Sequence, residues 1–235
     1  GIDSVMDAAF RAGIPKDTPG VDRNLTFVLG TASPHVLDVA SAYSTFAAEG
    51  VAAKPFLVSK VVSPSAGVLY EATPQTEVVF AEGDSRKVNY ALRQVVTNGT
   101  GYAALAAGRP VAGKTGTTDE NKSAWFAGYT PDLAAAVMLI KQDENGLPIS
   151  LSGTGGVSSV AGGSFPARIF TAFIRGALEG KPEAKFKRPT ATAVPTLSNS
   201  PLPWWSPTPG ATPTDSATPT DSATPTDSAT PTNVA

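Results

Sequence analysis

The chain has 235 residues, no cysteine, one histidine and a formal net charge of −2, with 41% hydrophobic and only 16% charged residues. That balance excludes a polybasic face for nucleic acid or for a membrane surface, and it excludes disulfides, a thiolate nucleophile and a multi-histidine zinc centre. No apolar run reaches the roughly 18 residues of a membrane span.

In chain order, Asp3 to Ala12 reads as a short helix closed by Gly13. Ser33 as N-cap and Pro34 at the first position predict a second helix, closed by Gly50. Val36, Leu37, Ala40, Tyr43 and Phe46 give it an apolar stripe at helical spacing, which reads as core. His35, at the start of this helix, is expected to have a surface or capping role. Phe56 to Val62 and Val68 to Glu71, joined by Ser63-Pro64-Ser65-Ala66-Gly67, predict a β-hairpin, and Glu77 to Ala81 an added strand. Ser85 then caps a helix carrying Val88, Ala91, Leu92, Val95 and Val96, which ends at Asn98-Gly99. A loop through Thr100-Gly101-Tyr102 leads to a strand around Lys114. Two more strands follow, Ala124 to Tyr129 and Leu133 to Lys141, with a turn at Thr130-Pro131-Asp132, so the three make an antiparallel meander. The Gly- and Ser-rich stretch from Asp143 to Ser164 lacks periodicity and is expected to be a loop beside a cleft. Pro166 opens a last helix whose Ile169, Phe170, Phe173, Ile174, Ala177 and Leu178 cover one face of the sheet. The fold class expected is α/β of the α+β type, an antiparallel sheet flanked by helices.

The most informative run is Val111-Ala112-Gly113-Lys114-Thr115-Gly116-Thr117-Thr118, followed by Trp125-Phe126-Ala127-Gly128-Tyr129-Thr130-Pro131. In a strand successive side chains alternate faces, so Thr115 and Thr117 share one face and Lys114 leaves from the other. Without Cβ atoms, Gly113 and Gly116 let a ligand backbone approach and pair as an added strand. Gly116 also leaves the N–H of Thr117 reachable as an oxyanion donor. A cation and two hydroxyls on such a strand suit the carboxylate end of a peptide.

This stretch, from Arg109 to Leu139, resembles the third active-site motif of penicillin-binding proteins and serine β-lactamases. In its extended form, Ala-Gly-Lys-Thr-Gly-Thr-Thr and then Ala-Trp-Phe-Ala-Gly-Tyr-Thr-Pro, it is most similar to the transpeptidase domain of class A, bifunctional penicillin-binding proteins. Upstream, Leu29-Gly30-Thr31-Ala32-Ser33-Pro34 and the run from Ala40 to Gly50 match the helix that family carries between its second and third motifs. The resemblance covers roughly residues 1–180.

It implies a peptidoglycan cross-linking D,D-transpeptidase that acts through an acyl-serine and is blocked by β-lactams, with no cofactor and no metal. Lys114 is then catalytic, placing positive charge near the substrate's terminal carboxylate and holding the serine of the second motif. Thr115, Gly116, Thr117 and Thr118 bind substrate, and the Thr117 N–H completes the oxyanion hole. Trp125 and Tyr129 are expected to support the strand from the core. Where the family often has an acidic or amide residue, this chain has Ser123, which puts any hydrogen bond made there in doubt.

The nucleophile is absent from this chain. No serine has lysine three residues on, as in Ser-x-x-Lys, or asparagine two residues on, as in Ser-x-Asn. The nearest decoy, Ser44-Thr45-Phe46-Ala47, carries alanine where lysine is required, and Ser44 reads as structural. The expectation is therefore the C-terminal part of a longer protein, whose N-terminal part brings the nucleophile, a glycosyltransferase domain and a membrane anchor on the extracytoplasmic side. By itself the chain is expected to be inactive. Competing readings are a D,D-carboxypeptidase, a β-lactamase-like hydrolase, or a non-catalytic sensor module binding penicillin or muropeptide.

From 181 to 235 the composition changes. Lys181 to Arg188 is a charged spacer, and from Pro189 onward Pro, Thr, Ser and Ala dominate, with Ala-Thr-Pro-Thr-Asp-Ser repeated three times from Ala211 to Ser228. Recurring proline and almost nothing apolar to bury predict a disordered tail, with Trp204-Trp205 standing out in it. A spacer through wall polymer, a substrate for O-glycosylation and an inert solvated tail are the readings its composition suggests.

Overall fold

The computed structural model describes residues 1–189. Helix α1 (Ile2–Ala12) stops at Gly13, whose φ of 124° suits glycine and whose N–H reaches the carbonyls of Ala9 and Phe10. A 3-10 turn at Leu25–Leu29, capped by the Asn24 side chain, was not expected from the sequence. Helix α2 (Val36–Ala47) begins later than Ser33 and Pro34 suggest. Its N-cap is His35, whose backbone N–H donates to the Asp38 carboxylate at 3.2 Å. An acid in the first turn satisfies the otherwise orphaned donor, which a hydroxyl two positions earlier does not reach.

Four short strands follow: β1 (Val51–Ala53), β2 (Lys60–Ser63), β3 (Gly67–Glu71) and β4 (Thr76–Val78). β2 and β3 form the expected hairpin, with a register shift between Val61 and Val62. The strand starts at Lys60 rather than Phe56, because Phe56 to Val58 pair with no strand and lie exposed. β4 pairs antiparallel with β1 and ends at Val78, since the N–H groups of Val79 and Phe80 both turn to the Gly50 carbonyl.

Helix α3 (Glu82–Thr97) is capped at Ala81, not at Ser85. Glu82 and Asp84 in its first turn complement the helix dipole, and Ser85 is a buried residue of the helix itself. A second 3-10 turn spans Tyr102–Ala107. The main sheet is antiparallel in the order β5 (Ala112–Thr117), β6 (Ser123–Tyr129), β7 (Ala134–Gln142), β8 (Pro148–Ile149). β8 rises out of the stretch read as a loop, because the Asp143 carboxylate accepts the N–H groups of Asn145 and Leu147 and tightens the chain into a hairpin turn. Helix α4 (Phe165–Ala177) carries Pro166 in its first turn.

The sheet with helices on its faces is the expected architecture. α2 and α4 both pack on β6 and β7, and α3 runs against β5. Phe126 and Tyr129 are three residues apart on β6, so they enter opposite faces. Phe126, fully buried, meets Phe170 of α4 with ring centroids 4.9 Å apart and joins Val96, Ala167 and Ile174 in the larger core. Tyr129 meets Tyr43 of α2 edge to face at 6.1 Å. Each such ring contributes roughly 1.5–3 kcal/mol by leaving water.

The Tyr129 hydroxyl donates to Asn89 Oδ1 at 2.6 Å, and Asn89 Nδ2 donates to the Phe46 carbonyl at 3.1 Å, so one buried side chain ties α2, α3 and β6 together. Burial, with Tyr43 nearby, pushes the Tyr129 phenol well above its ordinary range. The segment after α4 folds back onto this corner: Phe186 packs edge-on against Tyr129 at 5.7 Å, and Lys187 pairs with Glu49 at 2.6 Å. The repeats and Trp204-Trp205 lie outside the described residues. Among the described residues no helix is long and apolar enough to cross a membrane.

Candidate functional site

β5 is the edge of its sheet, with β6 its only strand partner among the described residues. It is buried from Ala112 to Gly113, with α3 alongside, and emerges into solvent at Lys114. Thr118, extended at φ −78° and ψ 160°, donates its N–H to the Ser123 carbonyl at 3.1 Å. Strand amides alternate sides, so the N–H groups of Thr117 and Thr115 point away from β6, along the free edge.

Side chains follow the pleat. The exposed ammonium of Lys114 makes its one hydrogen bond among the described residues to the Thr115 carbonyl, at 2.7 Å. Gly116 lies opposite Trp125, where an added Cβ would come within 3.3 Å of the Trp125 Cβ. Trp125 is half-buried, and Tyr129 is wholly buried. On the other face the Thr115 and Thr117 hydroxyls meet two separate elements. Thr115 Oγ1 lies 2.6 Å from Thr100 Oγ1, just after α3. Thr117 Oγ1 accepts the N–H of Gly162 at 3.2 Å. The Thr118 hydroxyl turns instead to Ser123, accepting its N–H at 2.8 Å and closing the β5–β6 turn. Ser123 thus contributes to the turn through its backbone and, more weakly, through its own hydroxyl, which donates to Thr118 Oγ1 at 3.4 Å.

The sequence reading gave no site role to Thr100, Asn121, Gly162 or Gly163. Asn121, at φ 56°, clamps Val160 in both directions: its Nδ2 donates to the Val160 carbonyl at 2.7 Å, and its Oδ1 accepts the Val160 N–H at 3.0 Å. The Asn121 carbonyl also accepts the Leu151 N–H at 2.8 Å. The stretch from Leu151 to Gly163 is thereby fixed over β5 and β6. Gly162 and Gly163 touch the strand so closely that a Cβ on Gly162 would collide with the Trp125 carbonyl, and one on Gly163 with that of Thr100. A glycine pair followed by an N-terminal helix proline was the available signal, but it points to close packing without saying against what.

Ser44, the decoy serine, donates to the Ser41 carbonyl at 2.7 Å within α2. Two surface depressions, one lined by Arg109, Arg175 and Glu179 and the other by Glu49, Asn89 and Lys187, contain no β5 residue. The assembled edge presents a cation, two oriented hydroxyls and outward amides. Its ammonium, hydroxyl protons and outward amides are donors suited to an anion and to a carbonyl oxygen gaining charge.

The family model "Penicillin binding protein transpeptidase domain" matches residues 3–159. Penicillin-binding protein 1A of Mycolicibacterium smegmatis is 36% identical over 204 residues, covering 79% of this chain and 25% of the relative. The penicillin-binding protein PonA1 of Mycobacterium tuberculosis, as a solved structure, shares 34% identity at a TM-score of 0.69, covering 81% of this chain and 53% of that one. The same protein is also solved in complex with penicillin V. The chain spans about a quarter of the length of the curated relatives it matches, at 25%. Family match, identity and fold agree, and the chain belongs to the penicillin-binding protein transpeptidase family.

Proposed function

We propose that this chain supplies the carboxylate-binding and oxyanion wall of a D,D-transpeptidase that cross-links peptidoglycan stem peptides. The observation that carries the reading is the free edge of β5, which presents the Thr117 amide outward, the Thr115 and Thr117 hydroxyls on one face and the exposed Lys114 on the other. Support comes also from the penicillin V complex of the M. tuberculosis relative.

In the proposed reaction a serine from a preceding part of the same gene product attacks the penultimate D-alanine carbonyl. The carbonyl π pair moves to oxygen, where the Thr117 N–H meets it. Collapse expels the terminal D-alanine as its amine takes up the proton given up by the serine, and an amine of a neighbouring peptide then attacks the ester carbonyl, giving up a proton that returns to the departing serine oxygen. Splitting acyl transfer into two steps lowers each barrier. Lys114 holds positive charge near the terminal carboxylate and steadies the serine of the second motif. Thr115 and Thr117 bind the carboxylate, Gly116 admits the substrate backbone, and Thr118 flanks it at the turn. The parent is placed at the extracytoplasmic face of the membrane by an N-terminal anchor and also bears a glycosyltransferase domain.

Fluorescent penicillin tests this. The complete gene product is expected to label covalently and the 235-residue chain to stay unlabelled. Lys114→Ala in the complete product is expected to lower the labelling rate by at least about a hundredfold, the loss typical of one electrostatic catalytic group. Label on the isolated chain, or undiminished labelling of Lys114→Ala, overturns the assignment.

A further inference from the structure

We infer that Thr100 is a positioning residue that sets the direction of the Thr115 hydroxyl, an inference that rests on the carboxylate-binding reading of β5. A threonine hydroxyl has one proton to donate and two lone pairs to accept with. Left to rotate, it offers an incoming anion a lone pair as readily as a proton.

At Thr117 the Gly162 N–H, 3.2 Å from Oγ1, is a donor without ambiguity. It fills an acceptor position and leaves the Thr117 proton for a ligand. Thr115 is the matching case one pleat away, and its only hydroxyl partner among the described residues is Thr100, at 2.6 Å. With an anion at the edge, Thr115 must donate outward, so Thr100 donates to Thr115. The pair then relays one proton toward the ligand from each hydroxyl in turn.

Thr100 is held where this requires it to be. The chain leaves α3 through Gly99 and Gly101, where an added Cβ would come within 2.9 Å of the Val95 carbonyl and 3.1 Å of the Phe126 ring. The Gly101 N–H caps the Val95 carbonyl at 2.9 Å. From above, Gly163 packs on the Thr100 carbonyl so closely that a Cβ would collide with it. The Thr100 backbone is thus wedged between α3, the Phe126 core and the Gly162-Gly163 loop, while its side chain stays exposed and among the described residues reaches only Thr115. A hydroxyl fixed this firmly, sharing a bond with a ligand-binding hydroxyl, is suited to orient it.

The test uses the complete gene product and two probes, a penicillin and its methyl ester, which lacks the carboxylate charge and carries one added methyl group. Second-order acylation rates are measured for the unaltered protein, Thr100→Val and Thr100→Ser. The expected result is a loss of about tenfold for Thr100→Val with the free acid, the worth of one hydrogen bond to a charged group. Less than about twofold is expected with the ester, and recovery in Thr100→Ser. Thr100→Val keeps the shape of the residue on an exposed site, and matching thermal midpoints for the two variants confirm an intact fold. Equal losses with both probes, or no loss with either, overturn the orienting role. If the unaltered protein does not distinguish acid from ester, the carboxylate reading of β5 falls and takes this inference with it.

Discussion

Asn121→Ala should be the most costly single change in the turn beside the site. The substitution removes both partners of Val160, whose side chain is fully buried with Ala124 and Leu151. A buried amide or carbonyl left without a partner costs about 1–3 kcal/mol. At φ 56° alanine adds about 1 kcal/mol of left-handed strain, which asparagine tolerates better. The sum is at least about 3 kcal/mol, capped by the cost of releasing the loop from Leu151 to Gly163 on its own. Urea unfolding of the chain gives the total, and amide exchange at Val160 and Gly162 shows whether the loop opens locally. Asn121→Gly separates the terms: it relieves the strain and still lacks the clamp, so about 2 kcal/mol of loss should remain. A change below about 0.5 kcal/mol for Asn121→Ala, or full recovery in Asn121→Gly, would refute the clamp.

Three further outcomes follow from the packing. Tyr129→Phe leaves Asn89 Oδ1 without its buried donor and should cost about 1–2 kcal/mol, read as a fall of a few degrees in Tm. Gly162→Ala drives a Cβ into the Trp125 carbonyl, so the loop must lift from Thr117; fast exchange of the residue-162 amide reports it, and protection unchanged from the parent contradicts it. Glu49 is held down at about 2, from an ordinary 4.5, chiefly by its hydrogen bond from Arg86 and further by Lys187. Because its folded value lies below the unfolded one, its contribution is present above pH 4.5 and lost as pH falls toward 2. Screening of this partly exposed pair leaves about 1 kcal/mol, and Glu49→Gln should flatten that part of the stability curve.

Local rules carried much of the fold. β5, β6 and β7 were readable because short alternating runs are separated by turn residues, and α4 because its apolar stripe and Pro166 agree. Cap positions were misplaced where residue type stood in for geometry. Ser33 and Ser85 are good caps by composition, yet the chain turns at His35 and Ala81, next to acids that serve the first turn. Within the site, the strand itself was legible from Gly113 to Thr118. Its supports were not: Thr100 meets Thr115 across 15 positions, Asn121 meets Val160 across 39, and Gly162 meets Thr117 across 45. Those contacts depend on how α3 and the loop before α4 are laid over the sheet, which no local pattern encodes. Missing also from any local pattern was the return of Phe186 onto Tyr129, within a segment that reads only as a charged spacer.

The most direct measurement is a crystal structure of the complete gene product acylated by penicillin. The penicillin carboxylate should lie within hydrogen-bond distance of the Thr115 and Thr117 hydroxyls, with Lys114 nearby and the acyl carbonyl oxygen on the Thr117 N–H. A carboxylate turned away from β5, or an acyl oxygen held by other donors, would contradict the role assigned to this strand.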